Sequence, residues 1–229
     1  MEQVKLGLFQ RNTFTDDSQL YKIVNSSSIS GTNLGTPKTL LVVGLGNIGK
    51  EFDGSRHNLG FEVLDYFAKS NDFPAWSLSK SRFCHETSLE ISGKKVILAK
   101  PTTFMNDSGK CVRAMQDFYK INPEQTIVIH DELDINFGQI RTRNGGGSAG
   151  NNGIKSIIQA SNDNFGRIRM GIGPKKPDQI DTADFVLGKF SKAEAENLNE
   201  IKTELASLLS EYISLGHLNE ETRHIIIWA

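Results

Sequence analysis

Apolar positions along the chain repeat with two different periods, and the two alternate. Leu40–Leu45 (LLVVGL), Lys95–Ala99 (KVILA) and Thr126–His130 (TIVIH) are short β-branched and aliphatic runs, the pattern of strands buried on both faces. Between them, Gly60–Lys69 sets Phe61, Leu64, Asp65 and Ala68 at helical intervals, and Ser108–Tyr119 does the same with Val112, Met115 and Tyr119. Gly153–Ala160 predicts a further helix, while Arg167–Gly173 (RIRMGIG) alternates charge with apolar side chains as a half-buried strand does. The last helix has both its ends written out. Ser191 and Glu194 form a capping box, Leu198, Ile201, Leu205, Leu208 and Tyr212 make one apolar face, and Gly216 supplies the stop. Strands alternating with helices predict an α/β fold: a single three-layer domain, its twisted mixed and largely parallel sheet covered by helices on both faces.

Residues 25–37 (NSSSISGTNLGTP) are small and polar with little to bury, so they read as a linker. That makes 1–38 a flexible N-terminal extension or a presequence, and 39–229 the folded domain. Lys5, Arg11, Lys22 and several serines favour an organellar presequence, whereas Glu2, Asp16 and Asp17 count against one, so the expected compartment is cytoplasmic or mitochondrial/organellar.

Composition removes several classes. Hydrophobic residues at 38%, with 21 glycines in 229 residues, bring the chain to the apolar share of ordinary globular proteins and exclude disorder throughout. Cys84 and Cys111 stand far apart with no metal-ligand spacing, which excludes a disulfide scaffold or a zinc finger and suits a reducing compartment. No apolar run approaches the roughly 20 residues of a membrane span, so no membrane partner is expected. A net charge of −1 rules out binding nucleic acid by bulk charge alone. The charge is nonetheless uneven. Residues 137–179 hold seven basic and two acidic side chains, a net of +5, and residues 180–229 hold four basic and nine acidic, a net of −5. A local positive region of that size is what a phosphate-bearing substrate would seek.

Ligands of such sheets bind at the carboxyl ends of the strands, which singles out the residues following Leu45, Ala99 and His130. The first of these segments, Gly44-Leu45-Gly46-Asn47-Ile48-Gly49, fits the dinucleotide-binding fingerprint. Its context does not. Asp53-Gly54-Ser55 is a turn, a helix cannot comfortably begin before Asn58, and Asp65 falls within a helix rather than at the end of a second strand. After the turn comes Arg56-His57-Asn58, where the histidine either caps a helix or takes part in chemistry. Asn106, after the second strand, and Asp131, after the third, can reach the same edge as His57. A carboxylate beside an imidazole fixes one tautomer and leaves the other nitrogen free to accept a proton from water. The chain has no G-x-S-x-G, and Ser108 belongs to a helix start, so attack by water is favoured over a covalent intermediate. Asn47, Asn58, Asn106, Asn151 and Asn152 suit either turns or the gripping of a peptide and an oxyanion. Arg141–Gly153 (RTRNGGGSAGNNG) reads as a basic glycine-rich loop, either a connector or a cradle for an anion.

Taken in order, GLGNIG, RHN, KPTTFMNDSG, HDELD, GGGSAGNNGIKS and RIRMGIG with FVLGKF strongly resemble the bacterial-type peptidyl-tRNA hydrolase family, over about residues 39–190. The resemblance implies a metal-free, cofactor-free, single-domain monomer that cleaves the ester between a nascent peptide and tRNA, recycling tRNA from aborted translation. By the same resemblance His57 is the general base, Asp131 its orienting carboxylate, and Asn47, Asn106 and Asn152 the amides that hold water, peptide carbonyl and ester. Phe52, Phe104 and Met105 join Asn106 and Asn152 in contacting substrate, and Arg141, Arg143 and Arg169 contact tRNA phosphate. The chain departs from the family pattern at Ile48, where proline is usual, at Phe52, where tyrosine is common, and at Ser148 and Asn151, where histidines are frequent. These departures bear on substrate positioning rather than on His57 and Asp131. The alternative is a non-catalytic RNA-binding relative acting in organellar RNA processing, since plant organelles use members of the family in intron splicing.

Overall fold

A computed structural model describes residues 38–175 and 177–227. The expected extension up to residue 37, with its linker, lies outside the described residues. Four strands, β1 (Thr39–Gly44), β4 (Lys94–Pro101), β5 (Thr126–Asn136) and β7 (Gly166–Gly173), form a parallel centre in the order β4-β1-β5-β7. Antiparallel strands extend it at both edges: β2 (Ser77–Ser79) and β3 (Cys84–Ile91) beyond β4, and β6 (Gln139–Asn144) and β8 (Thr222–His224) beyond β7. The sheet is therefore mixed, as expected, with its parallel pairing confined to the centre.

Strand alternation sorts the core into two layers. Leu40, Val42, Val96, Leu98, Ile127 and Ile129 point to one face, where they meet α1 (Leu59–Ser70), α4 (Thr182–Leu187) and α5 (Lys192–Leu215) through Leu64, Phe67, Phe185, Ile201 and Leu205. Leu41, Val43, Ile97, Ala99 and Val128 point to the other, packed on α2 (Ser108–Tyr119) and α3 (Asn152–Ala160) through Val112, Met115, Ile154 and Ile157. This is why the stretches 40–43, 96–99 and 127–129 are wholly apolar: both faces are covered. The α5 caps form as the sequence predicts, with Ser191 and Glu194 bonding reciprocally and Gly216 left-handed at φ 79°. Leu198 is only partly buried, and Ala206, Leu209 and Ile213 complete the α5 face. Among the described residues no helix is long and apolar enough to cross a membrane.

One expectation needs correcting. Arg141 and Arg143 are not in a loop: they belong to β6, and the glycine-rich loop begins at Gly145. Arg-x-Arg inside a polar stretch hides a strand whose other face, Ile140 and Thr142, is buried.

The first glycines have a packing role. A Cβ on Gly60 would lie 2.5 Å from the Leu45 nitrogen and 2.6 Å from the Ile129 oxygen, and one on Gly44 would lie 2.3 Å from the Gly60 oxygen. Only bare backbone lets the start of α1 sit against the end of β1 and against Ile129 within β5. That contact delivers the residues just before α1 to the carboxyl edge of the sheet.

Candidate active site

The turn ahead of α1, Arg56–Asn58, is one of short 3-10 type. Asn58 braces it to the loop after β1: its Oδ1 accepts from the Asn47 N–H (2.8 Å) and its Nδ2 donates to the Asn47 carbonyl (3.0 Å). Asn47 in turn accepts the Met105 N–H on its Oδ1 (2.8 Å), tying in the turn that follows β4. Asn47 and Asn58 are buried, so these bonds are made away from water and fix three segments at one edge.

Into that frame projects His57. Its Nδ1 lies 2.8 Å from each oxygen of Asp131, which sits on β5 with a side chain 2% exposed against 12% for the imidazole. A carboxylate only accepts, so Nδ1 carries the hydrogen and the neutral ring has its lone pair on Nε2. Asn151 adds two long contacts from its Nδ2, to the Asp131 carbonyl (3.4 Å) and Oδ1 (3.5 Å), while its Oδ1 caps α3 by accepting from Gly153 and Ile154.

These groups open on a cleft of about 900 Å³, lined by Asn47, His57, Asn106, Asp131 and Asn152 and by Phe52, Phe104 and Met105. The candidate catalytic residues thus converge as expected. Phe52 and Phe104 meet edge to face, ring centres 6.5 Å apart, and Phe104 is 55% exposed at the cleft's rim. Met105 is a buried core residue at the cleft's floor. A further wall comes from α4 and the residue before it, including Asp181, Val186 and Leu187.

Arg141, Arg143 and Arg169 do not line the cleft. They stand on β6 and β7, where Arg141 is registered opposite Arg169 and Arg143 opposite Arg167. Residues two apart on a strand share a face, so four guanidinium groups crowd one surface beside the glycine-rich loop. Burial, then the charges of Arg143 and Arg169, pull the Arg167 pKa down to about 10, and its guanidinium donates to the Gly146 and Gly147 carbonyls. Arg169 is lowered by burial as well. Burial raises the Glu132 carboxyl and pulls its neighbour His130 down to about 4. His130, fully buried, donates from Nδ1 to the Asp131 carbonyl (2.7 Å).

The first glycine motif does not serve a dinucleotide. The α-helix begins at Leu59, ten residues beyond Gly49, and the space over Gly46 is filled by the Phe61 ring, 2.9 Å from where a Cβ would be. Among the described residues no group of three or more His, Cys, Asp or Glu side chains is placed to hold a metal ion.

The peptidyl-tRNA hydrolase family model matches residues 41–225. The chain belongs to the peptidyl-tRNA hydrolase family. Peptidyl-tRNA hydrolases of Staphylococcus aureus strains JH9 and N315 are each 41% identical to it over 180 residues, covering 78% of this chain and 93% of theirs. The crystal structure of the Acinetobacter baumannii peptidyl-tRNA hydrolase superposes with a TM-score of 0.71 at 33% identity, covering 80% of this chain and 94% of that one. A crystal structure of a peptidyl-tRNA hydrolase in complex with N-propanol gives 0.71 at 34% identity, covering 78% and 90%. These relatives carry the name of a hydrolase and give no support to the non-catalytic alternative.

Within the family frame, the departures at Ile48, Phe52 and Asn151 find local accounts. Ile48 is 40% exposed and precedes Gly49, whose φ of 119° suits glycine. Phe52 keeps its aromatic contact with Phe104, and Asn151 is both helix cap and neighbour of Asp131. Asn58 and Arg56 do not line the cleft but brace the turn that carries His57, and the sequence signal for them is their position flanking it.

Proposed function

We propose that this member of the peptidyl-tRNA hydrolase family cleaves the ester between a peptide and the terminal ribose of tRNA by attack of a water that His57 activates. The observation that carries the reading is the His57 Nδ1 held by both oxygens of Asp131, with the ring bordering the cleft. As water oxygen bonds to the ester carbon, its proton passes to His57 Nε2, and Asp131 stabilises the imidazolium that forms. The carbonyl becomes an oxyanion, for which the side-chain amides of Asn47, Asn106 and Asn152 are the neutral donors in the cleft. Asn47 can donate from Nδ2 because its Oδ1 is already engaged by Met105. Collapse breaks the bond to the ribose oxygen, which takes the proton back from His57 and leaves as tRNA, while the peptide departs as a free carboxylic acid. Phe52, Phe104 and Met105 offer apolar contact to the peptide, and Arg141, Arg143 and Arg169 receive tRNA phosphates. The functional unit is a monomer in this reading.

The test is hydrolysis of an N-blocked aminoacyl-tRNA beside the unblocked one, with wild type and His57→Ala. Wild type should cleave the blocked substrate in preference. His57→Ala should lower kcat by about 10²–10⁴-fold, the range of general-base help, with tRNA affinity within a few-fold. Unchanged turnover by His57→Ala would end the assignment.

A further inference from the structure

The geometry points to Arg56 as a positioning residue of this site, one that latches the α4 wall of the cleft to the turn carrying His57. The inference rests on the esterase reading above.

Arg56 is 8% exposed, an expensive place for a cation without partners, and of its three guanidinium nitrogens only Nε is left without one. Its two terminal nitrogens reach different parts of the same segment: Nη1 donates to the Lys189 carbonyl (2.6 Å) and Nη2 to Glu194 Oε2 (2.7 Å). The guanidinium lies 4.3 Å from the Phe185 ring centre and 5.2 Å from that of Phe190. The backbone joins as well, since the Arg56 N–H donates to the Gly188 carbonyl (3.0 Å) and Ser55 bridges to Lys189. Glu194 Oε2 also accepts the Ser191 N–H (2.7 Å), so the capping box of α5 is itself the anchor of the latch. One side chain thus joins the residue before His57 to the end of α4 and the start of α5.

What it holds is a helix of six residues with one buried side chain, Phe185, too short to persist by propensity alone. Val186 and Leu187 of that helix border the cleft. A loosened wall therefore weakens the grip on the acyl-linked peptide, whereas the proton transfer survives, because His57 is oriented separately by Asp131. Lysine cannot replace arginine here: an ammonium offers no fork to span Lys189 and Glu194 and no flat face for Phe185.

The experiment compares Arg56→Lys and, as a milder variant from the other side of the contact, Glu194→Gln with wild type. The substrates are an N-acetylated aminoacyl-tRNA and a tRNA bearing a peptide several residues long. Both variants should raise KM for the longer substrate about tenfold, the effect of one lost charge-assisted hydrogen bond, and hold kcat within a few-fold. Amide exchange should quicken in residues 182–187 and stay unchanged in α1. A merely structural role would lower the melting temperature and leave KM alone in both variants, and a loss of kcat at constant KM would show that Arg56 orients His57 instead; either result overturns the latch. Absence of turnover by wild type on both substrates would refute the esterase reading itself, with the exchange measurement still reporting on the contact.

Discussion

Two histidines stand next to the same aspartate and do opposite things. His57 reaches the Asp131 carboxylate at the edge of the cleft, whereas His130, one residue along β5, donates to the Asp131 carbonyl from full burial. His130 is thereby a structural group with a pH signature. Its pKa falls from 6.5 to about 4, chiefly through burial, against the upward pull of Asp131 and with Arg167 and Arg169 adding to the depression. Above the unfolded value both states are neutral and nothing changes. Between the two values the unfolded chain binds a proton that the folded one does not, so stability falls as pH drops through this window, by about 3 kcal/mol at its lower end. His130→Asn keeps a donor for the Asp131 carbonyl and cannot titrate. Urea unfolding at about pH 7 and about pH 5 should show a smaller loss for the variant than for wild type, and equal losses would mean His130 is not held neutral. The sequence alone does not separate these imidazoles. His57 and Asn106 are legible because they stand in the segments that follow β1 and β4, and Asp131 because it closes the apolar run of β5, although the strand itself continues to Asn136, whereas the bracing by Asn58 and the double role of Asn151 are not, since an asparagine in a turn looks the same whether it braces, caps or binds.

At the scale of elements, what is readable is what is periodic. β1, α2 and α5 carry unbroken apolar patterns and clear ends, and their predicted bounds agree with those observed to within a residue. β3 (CHETSLEI) and β6 (QIRTRN) mix polar residues into edge positions, β2 and β8 have three residues each, and α4 has six, too few for a period to register. The junction of β1 with α1 is equally invisible to periodicity, although it sets the position of His57. Gly60→Ala tests it. Alanine is the better helix former by about 1 kcal/mol, but the new Cβ meets backbone atoms of Leu45 and Ile129, so no side chain can swing away. Overpacking should win, with a net loss of about 1–3 kcal/mol seen as a lower urea midpoint at unchanged slope. A stabilised variant would show that α1 can shift freely against the sheet.

Across the whole molecule, a net charge near zero conceals a segment of +5 followed by one of −5. The structure gives the positive segment a shape: on β6 and β7 arginine faces arginine twice, at Arg141 with Arg169 and Arg143 with Arg167, and like charges in such register destabilise by roughly 0.2–1 kcal/mol each. The Glu204, Glu211 and Glu221 carboxylates do nothing to relieve this, being gathered on Arg223. Glu132 acts on Arg167 and Arg169, and Glu220 on Arg169, yet four guanidinium groups still share one face; in the proposed reading that face receives the phosphates of tRNA. Arg143 is the best probe because it is exposed and its charge falls directly on Arg167. Arg143→Gln keeps the stem and removes the charge. It should raise the urea midpoint slightly, by relief of repulsion, and raise KM with kcat unaltered. The logarithm of kcat/KM should also fall less steeply with salt concentration, by about 0.7–0.9 in slope for one phosphate contact given up. Stability and substrate binding should move in opposite directions in the same variant. If the midpoint drops and the salt dependence stays as in wild type, Arg143 is holding the glycine-rich loop rather than receiving phosphate.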